Sequence, residues 1–387
     1  MKTPHRFYFC TTGLGSGGAE TMLTQLVTGL VRRGHACGVA SLAAGGKHLA
    51  PLRAAGASVI DLGMRSGRPS LRALLRLRQD ASTFRPDLLV GWMYHGNLAA
   101  SLIQRRMGHR PAMVWNIRQS LYRLQDEKRG SAFVIRCLAH ASNRRPQRIL
   151  YNSALSARQH EALGFDADKT DLVPNGFDTE LFRPDPEARH LLLRELKLPQ
   201  EVVLIGRIGR NAAMKDHPTA LAACAGICRN HPEVHVLFAG TGMTDDDPVF
   251  RDFLSRQTGI AGQIHFLSER QDLPQLTAAL DIVLSSSAFG EGFPNVVGEA
   301  MACGVPVVAT DVGDTAQVLG QAGRIVPPRD PRRLAAALEE MLSLTTDQRQ
   351  SLGSVGRQRI VAEFSLESVV PRYEERFIQA MVLAPVS

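Results

Sequence analysis

Short runs of β-branched and aromatic residues recur along this chain, separated by stretches long enough for a helix. "RFYFCTT" (6–12), "ACGVASL" (36–42), "DLLVGWM" (87–93), "AMVWNI" (112–117) and "RILYNS" (148–153) are near-continuously apolar, as strands covered on both faces must be. A helical pattern follows most of them; "AETMLTQLVTGLVRRGH" (19–35), closed by Gly34, is the clearest. Strands alternating with helices specify βαβ units and a doubly wound α/β sheet. The pattern then restarts with "VVLIGRIG" (202–209), "VHVLFAG" (234–240), "QIHFLS" (263–268), "DIVLSSS" (281–287) and "PVVATD" (306–311). Between the two series lies "LVPNGFDTELFRPDPEA" (172–188), rich in Pro, Asn, Gly and Asp, the composition of a linker. The expected architecture is therefore two Rossmann-like domains, 1–177 and 178–365. An amphipathic C-terminal helix within 366–387 would pack back toward the first domain. Ligands of open α/β sheets sit beyond the carboxyl ends of the strands, so the site is expected in a cleft where the two domains face each other.

Composition narrows the classes. No stretch approaches about 18 uninterrupted apolar residues, which argues against a transmembrane helix. "MKTPHRFYFC" lacks an apolar core followed by a small-residue cleavage site, so a cytoplasmic protein is expected. The cysteines form no C-x-x-C pair and read as reduced core thiols. The 45 Lys and Arg outnumber the 37 Asp and Glu, giving +8, a balance that suits anionic partners. "RSGRPSLRALLRLRQD" (65–80) interleaves arginines with Leu71, Leu74, Leu75 and Leu77. Such a helix either lies on an anionic lipid surface or packs by its leucines. "SNRRPQR" (142–148) adds a second basic cluster. Nucleic acid is disfavoured, because no basic motif is interleaved with aromatics and these make up only 6% of residues.

Three segments carry chemistry. In "TTGLGSGGAE" (11–20), Gly13, Gly15 and Gly18 satisfy G-x-G-x-x-G before a helix, a geometry that brings backbone close to a phosphate or simply makes a tight turn. A nicotinamide dinucleotide also needs an acidic residue at the end of strand two; "VASLAAGGK" has none, which disfavours an oxidoreductase. "GRIGRNAAMKDH" (206–217) places Arg210 and Lys215 after a strand, able to neutralise a diphosphate or merely solvated before a helix. Last, "FGEGFPNVVGEAMACGVPVV" (289–308) sets Glu291 in a loop and Glu299 eight positions on, in a helix whose first turn suits Pro294. Backbone N–H groups after Phe293 would form an anion site there, with one carboxylate for sugar hydroxyls and the other for ribose hydroxyls. A metal pair is one competing account, without a His or Asp cluster to support it, and plain helix capping is another, which does not explain Glu299.

Taken together these segments resemble the retaining glycosyltransferases of GT-B fold in glycosyltransferase family 4, over nearly the whole chain. "GLGSGGAE" resembles that family's N-terminal glycine loop, "YNSALSARQHEALGF" and "LVPNGFDTELFRP" its interdomain passage. "GEGFPNVVGEAMACGVPVVATDVGD" is similar to its E-x7-E signature. The resemblance implies that Glu291 contacts the donor sugar, Glu299 the ribose, and Arg210 and Lys215 the diphosphate. Backbone at Gly292, Phe293, Pro294 and Asn295, and at Gly15, Gly17 and Gly18, would cradle sugar and phosphate. His95, in "GWMYHGNLAA", resembles a histidine beside the donor sugar, or is a half-buried residue at a helix start. Where many members carry another histidine this chain reads "VWNIRQS", with Asn116 or Arg118 in its place. The implied reaction moves a sugar, with retention, from a nucleotide-diphosphate donor to a hydroxyl of a glycan or lipid-linked acceptor. UDP-sugars are favoured over GDP-sugars, no metal or other cofactor is expected, and bacterial surface-polysaccharide assembly is the expected setting. Peripheral contact with the inner face of the plasma membrane is a further expectation. A GT-B nucleotide-sugar epimerase would share the plan and need no acceptor.

Overall fold

The apolar runs close into two all-parallel sheets. In the computed structural model, which describes residues 3–64, 70–121, 124–257 and 259–384, the first sheet contains β1 (Arg6–Thr11), β2 (Ala36–Ala43), β3 (Ser58–Met64), β4 (Leu88–Trp92), β5 (Ala112–Ile117), β6 (Arg148–Tyr151) and β7 (Thr170–Leu172). The second contains β8 (Val203–Ile208), β9 (Val234–Ala239), β10 (Ile264–Phe266), β11 (Ile282–Ser285), β12 (Val307–Thr310) and β13 (Gly323–Val326). Their spatial orders are β3-β2-β1-β4-β5-β6-β7 and β10-β9-β8-β11-β12-β13, with parallel pairing throughout. The chain divides into two compact units, Met1–Gly176 with Leu366–Ser387, and Phe177–Ser365.

Each sheet is covered on both faces. Along β5, Ala112 and Val114 pack into one core while Met113, Trp115 and Ile117 pack into the opposite one. That double burial is why the central strands read as unbroken apolar runs. The helices start where side chains can cap them. Ser70 accepts from the Ala73 N–H at 3.3 Å to start helix Leu71–Phe84, and Ser153 accepts from Ser156 N–H at 3.0 Å to start helix Ala154–Glu161. In the expected linker, Asp178 takes the N–H groups of Glu180 and Leu181, and Asp185 caps helix Pro186–Leu196.

The C-terminal helix, Leu366–Val382, belongs to the first unit. It places Val369, Val370, Tyr373 and Phe377 in the core that holds Phe7, Phe9 and Trp92, and its buried Glu374 pairs with Arg33. Residues 385–387 lie outside the described residues. The basic segment is packed by half of its leucines: Leu77 is buried with Ala73 and Ala81 and Leu74 packs against the same core, whereas Leu71 and Leu75 are 74% and 54% exposed. The arginines at 65 and 68 lie outside the described residues. Among the described residues no helix is long and apolar enough to cross a membrane.

One contact fixes the helix that carries Glu299. A Cβ built on Gly298 would meet the Phe177 ring at 2.0–2.6 Å, so only glycine lets that ring seat on the helix. The ring sits 6.0 Å from Phe293, which is in turn 5.8 Å from Phe364. Gly298→Ala is therefore expected to cost about 1–3 kcal/mol by overpacking. Thermal melting should register the loss, and Phe177→Leu in the same chain should recover part of it; an unchanged melting temperature in the single variant contradicts this packing.

Candidate functional site

In the second unit the strand order reverses between β8 and β11. The helix after β8, His217–Asn230, packs its Ala220, Leu221 and Cys224 on one face of the sheet. The helix after β11, Asn295–Ala302, packs Val297, Ala300 and Met301 on the other. The loops leaving these two strands thus share the uncovered carboxyl edge, where α/β sheets hold ligands. There the Lys215 ammonium pairs with the Glu291 carboxylate, and the Ser287 hydroxyl donates to the same Glu291 Oε1 at 2.8 Å. Arg210, in the loop with Lys215, is exposed and enters no ion pair among the described residues; its guanidinium reaches only Met214 Sδ, at 3.9 Å.

Beneath this pair lies a residue that sequence reading passed over. Arg207, in β8, is 1% exposed and donates from Nη2 to the Lys215 carbonyl at 2.6 Å and from Nη1 to the Ile208 carbonyl at 2.8 Å. Its Nε faces the Ser286 hydroxyl at 3.3 Å, which itself donates to the Lys215 carbonyl at 2.9 Å. Burial lowers the guanidinium to about 10, against the pull of Glu291 and Asp216. A cation inside an otherwise apolar strand run was the signal available in "VLIGRIG". Next to it His217 is pushed down to about 4 by burial and by Arg207, so it is neutral near pH 7, and its Nε2–H donates to the Arg210 carbonyl at 3.1 Å.

Glu299 is the fifth residue of helix Asn295–Ala302. Its carboxyl makes no hydrogen bond or ion pair among the described residues, and burial raises it to about 7 against the opposing charge of Lys215. The residues before it differ in detail from expectation. Pro294 is the N-cap rather than a first-turn residue, and supplies no side-chain acceptor. The Phe293 side chain is buried in the core, which leaves only its backbone for a ligand. The Gly292 carbonyl accepts from Asp314 N–H at 3.2 Å. Gly313, at φ +68°, comes so close that a Cβ would lie 2.5 Å from the Glu291 carbonyl oxygen. Asn295 is half-buried at the helix start. Among the described residues no three His, Cys, Asp or Glu side chains gather as a metal-binding group.

The remaining candidates lie in the first unit. Gly15 and Gly17 are in the loop after β1, and Gly18 opens helix Gly18–Arg32. Gly15 has open space around it, while Gly17 is the N-cap, overlaid by the Glu20 carboxylate. His95 is the third residue of helix Met93–Gln104, which leaves β4 through Met93 at φ +63°. It is half-buried, and burial lowers its pKa. The first sheet reverses its order between β1 and β4, so the glycine loop and His95 share its carboxyl edge. Asn116 and Arg118 are buried. The Arg118 guanidinium donates to the Tyr373 hydroxyl and to Asn175 Oδ1 and lies 5.0 Å over the Trp92 ring. Its described contacts clamp the C-terminal helix to the sheet.

Two measurements check this geometry. Arg207→Met should lower stability by about 1–3 kcal/mol, because the Lys215 and Ile208 carbonyls lose buried donors, and should weaken any ligand at Lys215 further; a fully stable variant with unchanged ligand affinity contradicts the anchoring role. For Glu299 the native carboxyl keeps its proton up to about pH 7, whereas an unfolded chain releases it near about 4.3. Between those values the native state binds more protons, so stability falls as pH rises. Glu299→Gln should remove that slope, matching wild type at pH 4 and exceeding it at pH 8 by on the order of 1–3 kcal/mol. A difference that does not change with pH contradicts this.

With that geometry in hand, likeness to known proteins is informative. A family model described as "Glycosyltransferase Family 4" matches residues 16–181, and one described as "Glycosyl transferases group 1" matches residues 199–344. A D-inositol 3-phosphate glycosyltransferase of Corynebacterium urealyticum is 32% identical over 225 residues, 55% of this chain and 52% of that protein. The chain spans about half the length of the curated relatives it matches. HepE of Anabaena, solved with UDP, superposes with a TM-score of 0.83 at 22% identity over 97% of this chain and 100% of that one. WaaG, a glycosyltransferase involved in lipopolysaccharide biosynthesis, gives 0.70 at 16% identity over 96% and 99%. At these identities the two structures speak to fold, and both sheets with their alternating helices follow the GT-B plan. The chain belongs to the group 1, family 4 glycosyltransferases.

Proposed function

We propose that this protein transfers a sugar from a nucleotide-diphosphate donor to an acceptor hydroxyl with retention of anomeric configuration. The observation that carries this is the Lys215–Glu291 pair at the carboxyl edge of β8 and β11, with the Glu299 carboxyl, which has no hydrogen-bond or ion-pair partner among the described residues, within the electrostatic reach of Lys215. On this reading Lys215 and Arg210 take the diphosphate, whose charge grows as the glycosidic bond breaks. Preorganised cations stabilise that charge without a reorganisation cost. Lys215 exchanges Glu291 for phosphate oxygens, which frees Glu291 to accept from sugar hydroxyls. Glu299 accepts from ribose hydroxyls, and backbone at Gly292, Phe293 and Asn295 supplies N–H donors, while Pro294, which has no N–H, only shapes the turn. In the first unit, Gly15, Gly17, Gly18 and His95 are proposed as further donor contacts on the strength of the family resemblance.

A uridine donor is favoured over a guanosine one; HepE of Anabaena, similar in fold, was solved with UDP and with UDP-glucose. The acceptor is proposed to be a hydroxyl of a glycan or of a lipid-linked oligosaccharide in bacterial surface-polysaccharide assembly. Helix Leu71–Phe84, with Leu71 and Leu75 exposed beside Arg72, Arg76 and Arg78, supports peripheral contact with an anionic membrane from the cytoplasmic side.

The test is calorimetric binding of UDP-, GDP- and ADP-sugars and of NADH, with EDTA present, to wild type and to Glu299→Ala. Binding of uridine sugars that is indifferent to EDTA and falls at least about tenfold in the variant is expected from the loss of a charge-assisted hydrogen bond. Silence toward every sugar nucleotide, or a preference for NADH, overturns the reading. Conversion of the donor without any acceptor would mark an epimerase instead.

A further inference from the structure

The basic cluster around residue 145 is not absorbed by the donor site. Helix Met93–Gln104 runs from the carboxyl end of β4 toward the opposite edge of the first sheet, and helix Arg129–Ala141 lies beside it. Where these helices end, a cavity of 460 Å³ opens between Leu98, Leu102 and Leu138 on its apolar side and Arg105, Arg106 and Arg145 on its basic side. It continues through the shared Arg105, Ala141 and Arg145 into a second hollow of 730 Å³, where Arg110, His140 and Arg144 join. Pro111 and Gln147, which immediately precede β5 and β6, form the floor. The cavity is therefore at the amino edge of the sheet, opposite the edge that holds Gly15, Gly17, Gly18 and His95.

Its walls are held in place. Gln104 Nε2 donates to the Pro111 carbonyl at 2.8 Å, and Gln147 Oε1 accepts from Met113 N–H at 2.7 Å. None of Arg105, Arg106, Arg110, Arg144 and Arg145 enters an ion pair among the described residues. A helix C-terminus favours one or two cations, each by about 0.3–1 kcal/mol. It does not account for five arginines from three segments converging on a cavity with no carboxylate. Like charges gathered in this way repel, and Arg145 is lowered by burial and by Arg105 and Arg110. An arginine fork matches phosphate oxygens two at a time.

We propose that this cavity is a second anion site, separate from the donor site, which binds a phosphate group, with Arg105 and Arg145 as its inner ligands and Arg110 and Arg144 at its rim. The phosphate is either free or borne by a lipid headgroup whose chain would follow Leu98, Leu102 and the 66%-exposed Phe133.

The full chain and its Arg105→Gln/Arg145→Gln variant would be titrated with inorganic phosphate at constant ionic strength. Both would also be sedimented with vesicles of equal parts phosphatidylcholine and phosphatidylglycerol. If free phosphate is the ligand, wild type binds it and the variant does so at least about tenfold more weakly. If the phosphate is lipid-borne, vesicle binding falls by that factor in the variant and stays in the charge-matched control Arg53→Gln/Arg332→Gln, at two exposed arginines away from the cavity. Thermal melting of both proteins serves as the folding control, and because it does not depend on nucleotide binding, failure here is distinct from failure of the donor reading. Should the inner pair fail to fold, the exposed Arg110→Gln/Arg144→Gln pair gives the same readout with a smaller loss. A variant that holds both probes as well as wild type overturns the proposal.

Discussion

A parallel sheet whose strand order reverses sends the crossovers on either side of the reversal to opposite faces, and the carboxyl ends of those two strands are left uncovered. In the second unit these are β8 and β11, and the loops leaving them carry Lys215 and Glu291. Two such loops have no reason to hold a fixed geometry by themselves. Arg207 supplies the reason. Taking a guanidinium out of water costs several kcal/mol, and here that cost is offset by bonds to two backbone carbonyls and by the nearby charges of Glu291 and Asp216. The anchored group is the Lys215 carbonyl, so the backbone is fixed while the ammonium stays free to exchange partners.

The two glutamates show how environment separates like groups. Glu291 already has a cation and a hydroxyl on one oxygen. Glu299, half-buried on its helix, has neither among the described residues, and burial raises it to about 7 against the opposing charge of Lys215. A carboxyl kept without protein partners destabilises the ligand-free chain at neutral pH. That arrangement makes sense if a ligand's hydroxyls supply the missing donors. Gly298 contributes from below, since the ring it admits sets the depth of the helix that carries Glu299.

Much of this was legible in the sequence, for physical reasons. The central strands were readable because burial on both faces leaves few polar positions, Arg207 in β8 and Asn116 in β5 being exceptions. β3, β7 and β13 were missed because their runs are short or interrupted and little of each is buried. Asp61 and Gly63 interrupt β3, β7 is only Thr170–Leu172, and in β13 only Val326 is fully buried. Lys215, Glu291 and Glu299 were legible as charges placed after strand ends. Arg207 and Arg118 were not, because their partners are set by tertiary contacts; Arg118 meets Tyr373, 255 positions away. Nor could the sequence tell which leucines of the basic helix face inward, since that depends on how it lies against β1, β2 and β3.

The central claim is that Lys215 leaves Glu291 to bind a diphosphate. It is tested most directly by measuring the affinity of UDP and of uridine for wild type and for Lys215→Met. The account predicts that UDP loses at least about tenfold, as expected for a charge-assisted contact of about 1.5–3 kcal/mol, while uridine binds both proteins equally. UDP affinity unchanged by the substitution, or an equal loss for UDP and uridine, would contradict it.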